Sequence, residues 1–290
     1  MATVNGVPAS VAQVTALALT NYGHFTTLRV EDGAVRGLSL HLDRLVRDCS
    51  AVFGAELDPE RVLAYVRQAA GGRPGPLTVR VTVFDPALDI TRPAERADPH
   101  VLVTTRPAGT LFPPPLRVTA RPYRRDAAGV KHVALFGQLA LRRAARLAGF
   151  DDVLFTEAGG TQAGGTQGGG TRGGGTQGGG TRFGGTQGGD LVSEGCTWNV
   201  GFVDADGRVV WPEAEVLPGV TMRLLQEAHH GAVVRPVRTA ELGAMRAVFA
   251  TNAAIGVRAV HDVDGLRFPD DDPVLAELRA AYLAVPADRP

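Results

Sequence analysis

The sequence predicts a two-domain protein of mixed α/β (α+β) class. Three observations carry that prediction: strand-like and helix-like segments alternate along the chain, its 290 residues leave room for two cores, and a Pro113-Pro114-Pro115 run separates them. Apolar residues make up 44% and charged residues 21% of the chain, which argues against wholesale disorder.

Each element follows from local pattern. Residues 24–30 and 77–84 are rich in Val, Thr and Phe and read as strands. Between them Leu42, Leu45, Val46, Cys49 and Val52 recur at helical spacing, which predicts a helix over 39–53. A second helix spans 59–70, and Gly71-Gly72-Arg73-Pro74-Gly75 closes it. A strand over 99–105 then leads into the prolines, a stiff extended connector. The expected division is a small domain at 1–112, a linker at 113–115 and a large domain at 116–290. In the large domain the pattern gives a strand at 116–121, a helix at 135–147, and strands at 152–156 and 191–192 that should pair as a hairpin. A strand at 199–204 turns through Asp204-Ala205-Asp206-Gly207 into Val209-Val210-Trp211. Helices at 221–228 and 273–283 bracket a strand pair around 248–249 and 257–263.

The tract 159–189 stands apart. Threonine recurs every five residues from Thr161 to Thr186, and 17 of its 31 residues are glycine, so it cannot offset its ordering entropy by burial. It reads as a flexible, low-complexity insertion that expands the turn of the hairpin, which the slow growth of loop-closure entropy with length permits.

Thirty acidic and thirty basic residues balance, which argues against nucleic acid or an acidic membrane surface as partner. Cys49 and Cys196 form no CxxC pair, and the histidines show no HExxH spacing, so neither a disulfide framework nor a metal site is indicated. The start of the chain reads neither as a signal peptide nor as a membrane span, and the cytoplasm is the expected compartment.

One count points to chemistry. Lys131 is the only lysine, and the other 29 basic residues are arginine. Arginine stays protonated, whereas a desolvated lysine amine can lose its proton and attack a carbonyl.

Six separated segments cohere around it. They are Phe25-Thr26-Thr27-Leu28-Arg29-Val30, His41-Leu42-Asp43-Arg44-Leu45, Val130-Lys131-His132, Ser193-Glu194-Gly195-Cys196-Thr197-Trp198-Asn199-Val200, Leu217-Pro218-Gly219-Val220-Thr221-Met222-Arg223 and Phe249-Ala250-Thr251-Asn252-Ala253. In this order the chain resembles the class IV aminotransferases, the pyridoxal 5′-phosphate enzymes of fold type IV. That family includes branched-chain and D-amino-acid aminotransferases and 4-amino-4-deoxychorismate lyase. Lys131 and Glu194 lie 63 positions apart, and removing the 31-residue tract leaves 32, about the family separation between its lysine and the following acid.

The resemblance implies roles. Lys131 would form the Schiff base with the cofactor and then shuttle the substrate proton. Glu194 would face the pyridine nitrogen, and Arg44, Val220, Thr221, Asn252 and Thr251 would hold the phosphate, with Asn252 favoured over Thr251. Phe25, Thr26 and Thr27 would wall the substrate. Phe136 stands where branched-chain enzymes carry a tyrosine, and the arginine and histidine with which D-amino-acid enzymes hold a carboxylate have no counterpart in Asp85-Pro86-Ala87-Leu88-Asp89. The implied reaction moves an amino group from an amino acid or amine to a 2-oxo acid, in a homodimer. The alternatives are a lyase that releases pyruvate and 4-aminobenzoate, and a non-catalytic homologue in which the Gly/Thr tract tethers partners.

Overall fold

The computed structural model describes residues 2–157 and 190–290. The expected Gly/Thr insertion at 159–189 lies outside the described residues.

The first part of the chain runs β1 (Ala2–Val4), β2 (Val7–Pro8), α1 (Val11–Thr20), β3 (His24–Val30), β4 (Val35–Arg36), α2 (Leu38–Phe53), α3 (Pro59–Ala70), β5 (Leu77–Phe84) and β6 (His100–Pro107). Five of its strands form an antiparallel sheet in the order β2-β1-β6-β5-β3. Strand alternation sorts its two faces. Leu28, Val30, Val79, Val81 and Val83 turn toward α2 and α3, where they pack with Leu45, Cys49, Val62 and Val66. Asp58 caps α3 by accepting from the Glu60 and Arg61 N–H groups, and Pro59 suits the first helical position. The opposite face carries Phe25, Thr27, Thr78, Arg80, Thr82, Thr104 and Arg106, a polar wall.

The second part contains β7 (Leu116–Pro122), α4 (Phe136–Leu147), β8 (Asp152–Glu157), β9 (Leu191–Gly195), β10 (Asn199–Val203), β11 (Val209–Pro212), α5 (Val220–Ala228) and β12 (Val233–Arg235). A 3-10 turn (Thr239–Ala244), β13 (Ala247–Asn252), β14 (Gly256–Val263), β15 (Leu266–Arg267), α6 (Pro273–Ala284) and β16 (Ala287–Asp288) complete it. The order β10-β13-β14-β7-β8-β9 returns to β10 through the pair Asn199 and Glu194, so six strands close on themselves. Inside lie Leu116, Val118, Leu154, Val200, Phe202, Val248 and Val260. The β7–β8 pair is parallel, and the connection through α4 supplies the crossover that parallel pairing needs.

The hairpin expected around the insertion is present. β8 and β9 pair antiparallel, with Glu157 opposite Leu191 at the open end. Among the described residues no helix is long and apolar enough to cross a membrane. α1, β1, β2 and the short pair β4–β16 were not anticipated. α1 shows why: Val11, Val14 and Leu19 are all exposed and no residue of the helix is buried, so it has no core-facing stripe to read.

Candidate active site

A cavity of about 250 Å³ lies where the polar wall of the first sheet faces the ends of β9, β10 and β13. Lys131, Glu194, Arg44, Val220, Asn252, Phe25 and Thr27 all line it.

Lys131 lies on the loop between β7 and α4, yet β3 and α2 fasten that loop. Its N–H donates to Asp48 Oδ2 at 3.0 Å, and its carbonyl accepts from the Phe25 N–H at 2.8 Å. The Arg47 guanidinium bridges Asp48 Oδ1 and the Gly129 carbonyl, at 2.7 and 2.9 Å. Asp48 is buried and stands one helical turn beyond Arg44, so α2 holds both the amine's loop and the arginine. The Lys131 Nζ lies 4.9 Å from the centre of the Phe25 ring.

Burial pushes the Lys131 ammonium down to about 7, helped by the neighbouring Arg44 and Arg125 cations, while Glu194 opposes the shift. Glu194 is displaced the other way. Burial pushes its carboxyl up to about 7, against the pull of Arg125. Its Oε1 is 3.2 Å from Arg125 Nε, and its Oε2 accepts from the Leu217 N–H at 3.3 Å. These shifts fix the sign of a pH effect on the cofactor-free protein. A buried carboxyl with a raised value favours the fold below its unfolded range near 4.5, and that contribution is lost as pH rises through 7. A buried amine with a lowered value favours the fold above 10.5, and its contribution is lost as pH falls through 7. The two losses overlap near neutrality. Cofactor-free wild type should therefore show a local loss of stability there, of up to a few kcal/mol, relative to a Lys131→Met/Glu194→Gln double variant. Parallel melting curves of the two proteins across pH 5–10 would expose the idea as wrong by failing to diverge near 7.

Arg44 is buried, and burial pushes its guanidinium down to about 10. Its Nη2 donates to Thr26 Oγ1 at 2.6 Å, and the same hydroxyl lies 2.7 Å from His41 Nδ1. Thr26 was expected on the substrate wall beside Phe25 and Thr27. Period-two alternation turns it to the opposite face of β3, where it braces Arg44 instead.

Val220 opens α5, and its capping residue Gly219 has no side chain to cap the helix, so among the described residues the helix start keeps N–H groups open to an anion. Gly219 is required by contact: a Cβ there would meet Asn199 Oδ1 at 2.0 Å. Asn199 in turn donates from Nδ2 to the Leu217 carbonyl at 2.8 Å and steadies the turn. Thr221 is buried and is not among the residues that line the cavity, and its hydroxyl has no hydrogen-bond partner among the described residues. Thr251 is likewise buried, does not line the cavity, and has no hydroxyl partner among the described residues. Asn252 reaches the cavity, but both ends of its amide are engaged. Nδ2 donates to the Thr197 carbonyl at 3.0 Å, and Oδ1 accepts from the N–H groups of Ala254 and Ile255 at 2.9 and 3.1 Å.

Sequence reasoning missed Arg80, Arg106, Arg125, Gln138 and Asp48. For Arg80 a signal existed, since it is the only charge in β5 and shares a face with Thr78 and Thr82.

The fold matches solved structures. Over 98% of this chain and 93% of the other, it aligns with a branched-chain amino acid aminotransferase from Escherichia coli at 16% identity and a TM-score of 0.76. A hypothetical aminotransferase from Mycobacterium tuberculosis in a PLP-bound form aligns over 98% and 99% of the two chains, at 20% identity and a TM-score of 0.72. A fold IV transaminase from Curtobacterium pusillum aligns over 96% and 89%, at 23% identity and a TM-score of 0.70. No curated protein sequence matches the chain. The family model of the class IV amino-transferases matches residues 23–167 and 185–263, and on that extent the chain belongs to the class IV aminotransferase family.

Proposed function

We propose that this protein is a pyridoxal 5′-phosphate-dependent aminotransferase that moves an amino group from an amino acid or amine to a 2-oxo acid. The observation that carries the reading is one cavity in which Lys131, its ammonium pushed down to about 7, shares a wall with Glu194, Arg44 and the open start of α5. The PLP-bound Mycobacterium tuberculosis neighbour adds support for the cofactor.

The residues fit the group. Arg44 Nε and Thr221 Oγ1 are buried polar atoms without a partner among the described residues, and a phosphate would satisfy both. The N–H groups of Val220 and Thr221 add the favourable end of a helix dipole. Bound there, the cofactor supplies an aldehyde that condenses with amines and a protonated ring that accepts the electron pair left when a substrate proton departs. Glu194 holds the proton at the ring nitrogen, and Arg125 and the Leu217 N–H keep the carboxylate oriented. The Lys131 amine, partly unprotonated near pH 7, can act as nucleophile and then as base toward the substrate α-proton. Asp48 and the Phe25 N–H hold its backbone in place. Phe25 and Thr27 wall the substrate side.

We read the working unit as a homodimer in the cytoplasm, and assign residues 1–112 and 116–290 to a small and a large domain. The exposed apolar side chains of α1, with Val11 at 85% and Leu19 at 75% exposure, support burial against a second copy.

Purified protein loaded with cofactor should exchange amino groups between an amino donor and a 2-oxo acid in equal amounts. Pyruvate release from 4-amino-4-deoxychorismate without any 2-oxo acid would assign the lyase reaction instead, and failure to take up the cofactor would sink both readings.

A further inference from the structure

One buried ring in the cavity has no task in the chemistry above. His41 is 1% exposed and lines the cavity together with Arg44 and Val220. Its Nδ1 and the Arg44 Nη2 both meet Thr26 Oγ1, at 2.7 and 2.6 Å. A guanidinium only donates, so the hydroxyl oxygen accepts from Arg44 and has its own single proton left to give. Among the described residues that proton has no acceptor other than His41 Nδ1. Nδ1 therefore accepts, and a neutral ring must carry its proton on Nε2. Neutrality is enforced: burial, with Arg44 and Lys131 as neighbouring cations, holds the imidazole well below the usual histidine range. The Nε2–H makes no hydrogen bond among the described residues.

The place of this donor follows from α2. A Cβ on Gly37, the residue before the helix, would meet Val220 Cγ1 at 3.0 Å, so the start of α2 packs against the start of α5. His41 comes one turn later, its backbone N–H donating to the Gly37 carbonyl at 3.2 Å, and Arg44 follows on the same face. His41 thus stands between two groups that already favour an anion, the open end of α5 and the Arg44 guanidinium. A neutral N–H there can donate without adding to the positive charge that Arg44, Arg125 and Lys131 already crowd into the cavity.

We propose that His41 is a phosphate-binding residue whose Nε2–H donates to the phosphate held by Arg44 and the start of α5, with Thr26 as the positioning residue that fixes the tautomer. This deepens the cofactor reading above and rests on it. Thr26 touches no ligand; it acts by turning the donor end of the ring toward the cavity and the acceptor end away.

The test compares pyridoxal 5′-phosphate with pyridoxal, which has the same aldehyde and no phosphate, as ligands of the cofactor-free protein. In His41→Leu the affinity for pyridoxal 5′-phosphate should fall roughly tenfold while that for pyridoxal holds, because a hydrogen bond to a charged acceptor is lost. His41→Gln should restore the ratio of the two affinities, since its amide nitrogen reaches the place of Nε2. His41→Asn, whose amide reaches only the place of Nδ1, should not. That pattern separates a donor in the cavity from a brace for Thr26. A ratio unchanged in His41→Leu, or not restored by Gln, would overturn the proposal, as would rescue by Asn. Should loss of the ring unfold the variants, nitrogen NMR of isotope-labelled wild type decides the matter. Its His41 ring should show a bare Nδ1 and a protonated Nε2 whose resonance moves on adding inorganic phosphate or pyridoxal 5′-phosphate. A protonated Nδ1, or an Nε2 signal indifferent to both, would also overturn it. Failure to take up pyridoxal 5′-phosphate would instead refute the reading beneath, and the response of Nε2 to inorganic phosphate would still judge His41.

Discussion

Lys131→Ala protein should fold, take up pyridoxal 5′-phosphate and lose turnover by roughly 10³-fold or more. The fold should survive because the loop is held by backbone contacts that alanine keeps: the residue 131 N–H still meets Asp48, and its carbonyl still meets Phe25. Cofactor should still bind because Arg44 and the start of α5 are untouched. Removing the amine also relieves repulsion among buried cations, since Arg44, Arg125 and Arg80 all push the ammonium toward neutrality. The variant should therefore melt no lower than wild type near pH 7. Chemistry is another matter, because no second lysine exists in the chain to substitute. Lys131→Arg should be as inactive, since a guanidinium holds its proton. Borohydride treatment of loaded wild type should fix the cofactor to Lys131, readable by mass spectrometry, and should leave both variants unmodified. A variant that keeps even a tenth of the wild-type rate would refute the role.

Glu194→Gln should cut kcat by about 10²-fold while leaving cofactor attachment to Lys131 intact. The amide can still accept from the Leu217 N–H, so the local turn stays in place. What it cannot do is hold a proton at the ring nitrogen or balance Arg125. The buried arginine left behind should lower the melting temperature, because removing one partner of a buried pair costs more than removing both. Glu194→Gln/Arg125→Gln should thus recover stability but not rate. That split separates chemistry from structure; recovery of rate along with stability would make Glu194 merely a counter-ion for Arg125.

Much of this architecture could be read before any coordinates. Residues 77–84 announce a strand because Leu, Val and Thr alternate there, and residues 39–53 announce a helix because their apolar positions fall on one face. Closure of the barrel could not be read, because it rests on one register between β9 and β10 that no local pattern encodes. In the site, Lys131 stood out through the scarcity of its type. Thr26 was grouped with its neighbours because contiguous residues read as one wall, whereas a strand sends each successive side chain to the other face. Asp48 was invisible because its contact is with a backbone N–H some eighty residues away, and backbone acceptors leave no trace in side-chain motifs.

The anchoring of the reactive amine's loop to β3 and α2, in addition to its tie to the barrel through Arg125 and Glu194, has a bearing on engineering. Half of the loop's address is written in the first part of the chain, on α2 and β3. Grafting a relative's barrel onto residues 2–107 would carry over the docking groove for any lysine-bearing loop of the same backbone shape. Swapping the smaller sheet instead would erase that groove while every residue from 116 onward stayed unaltered.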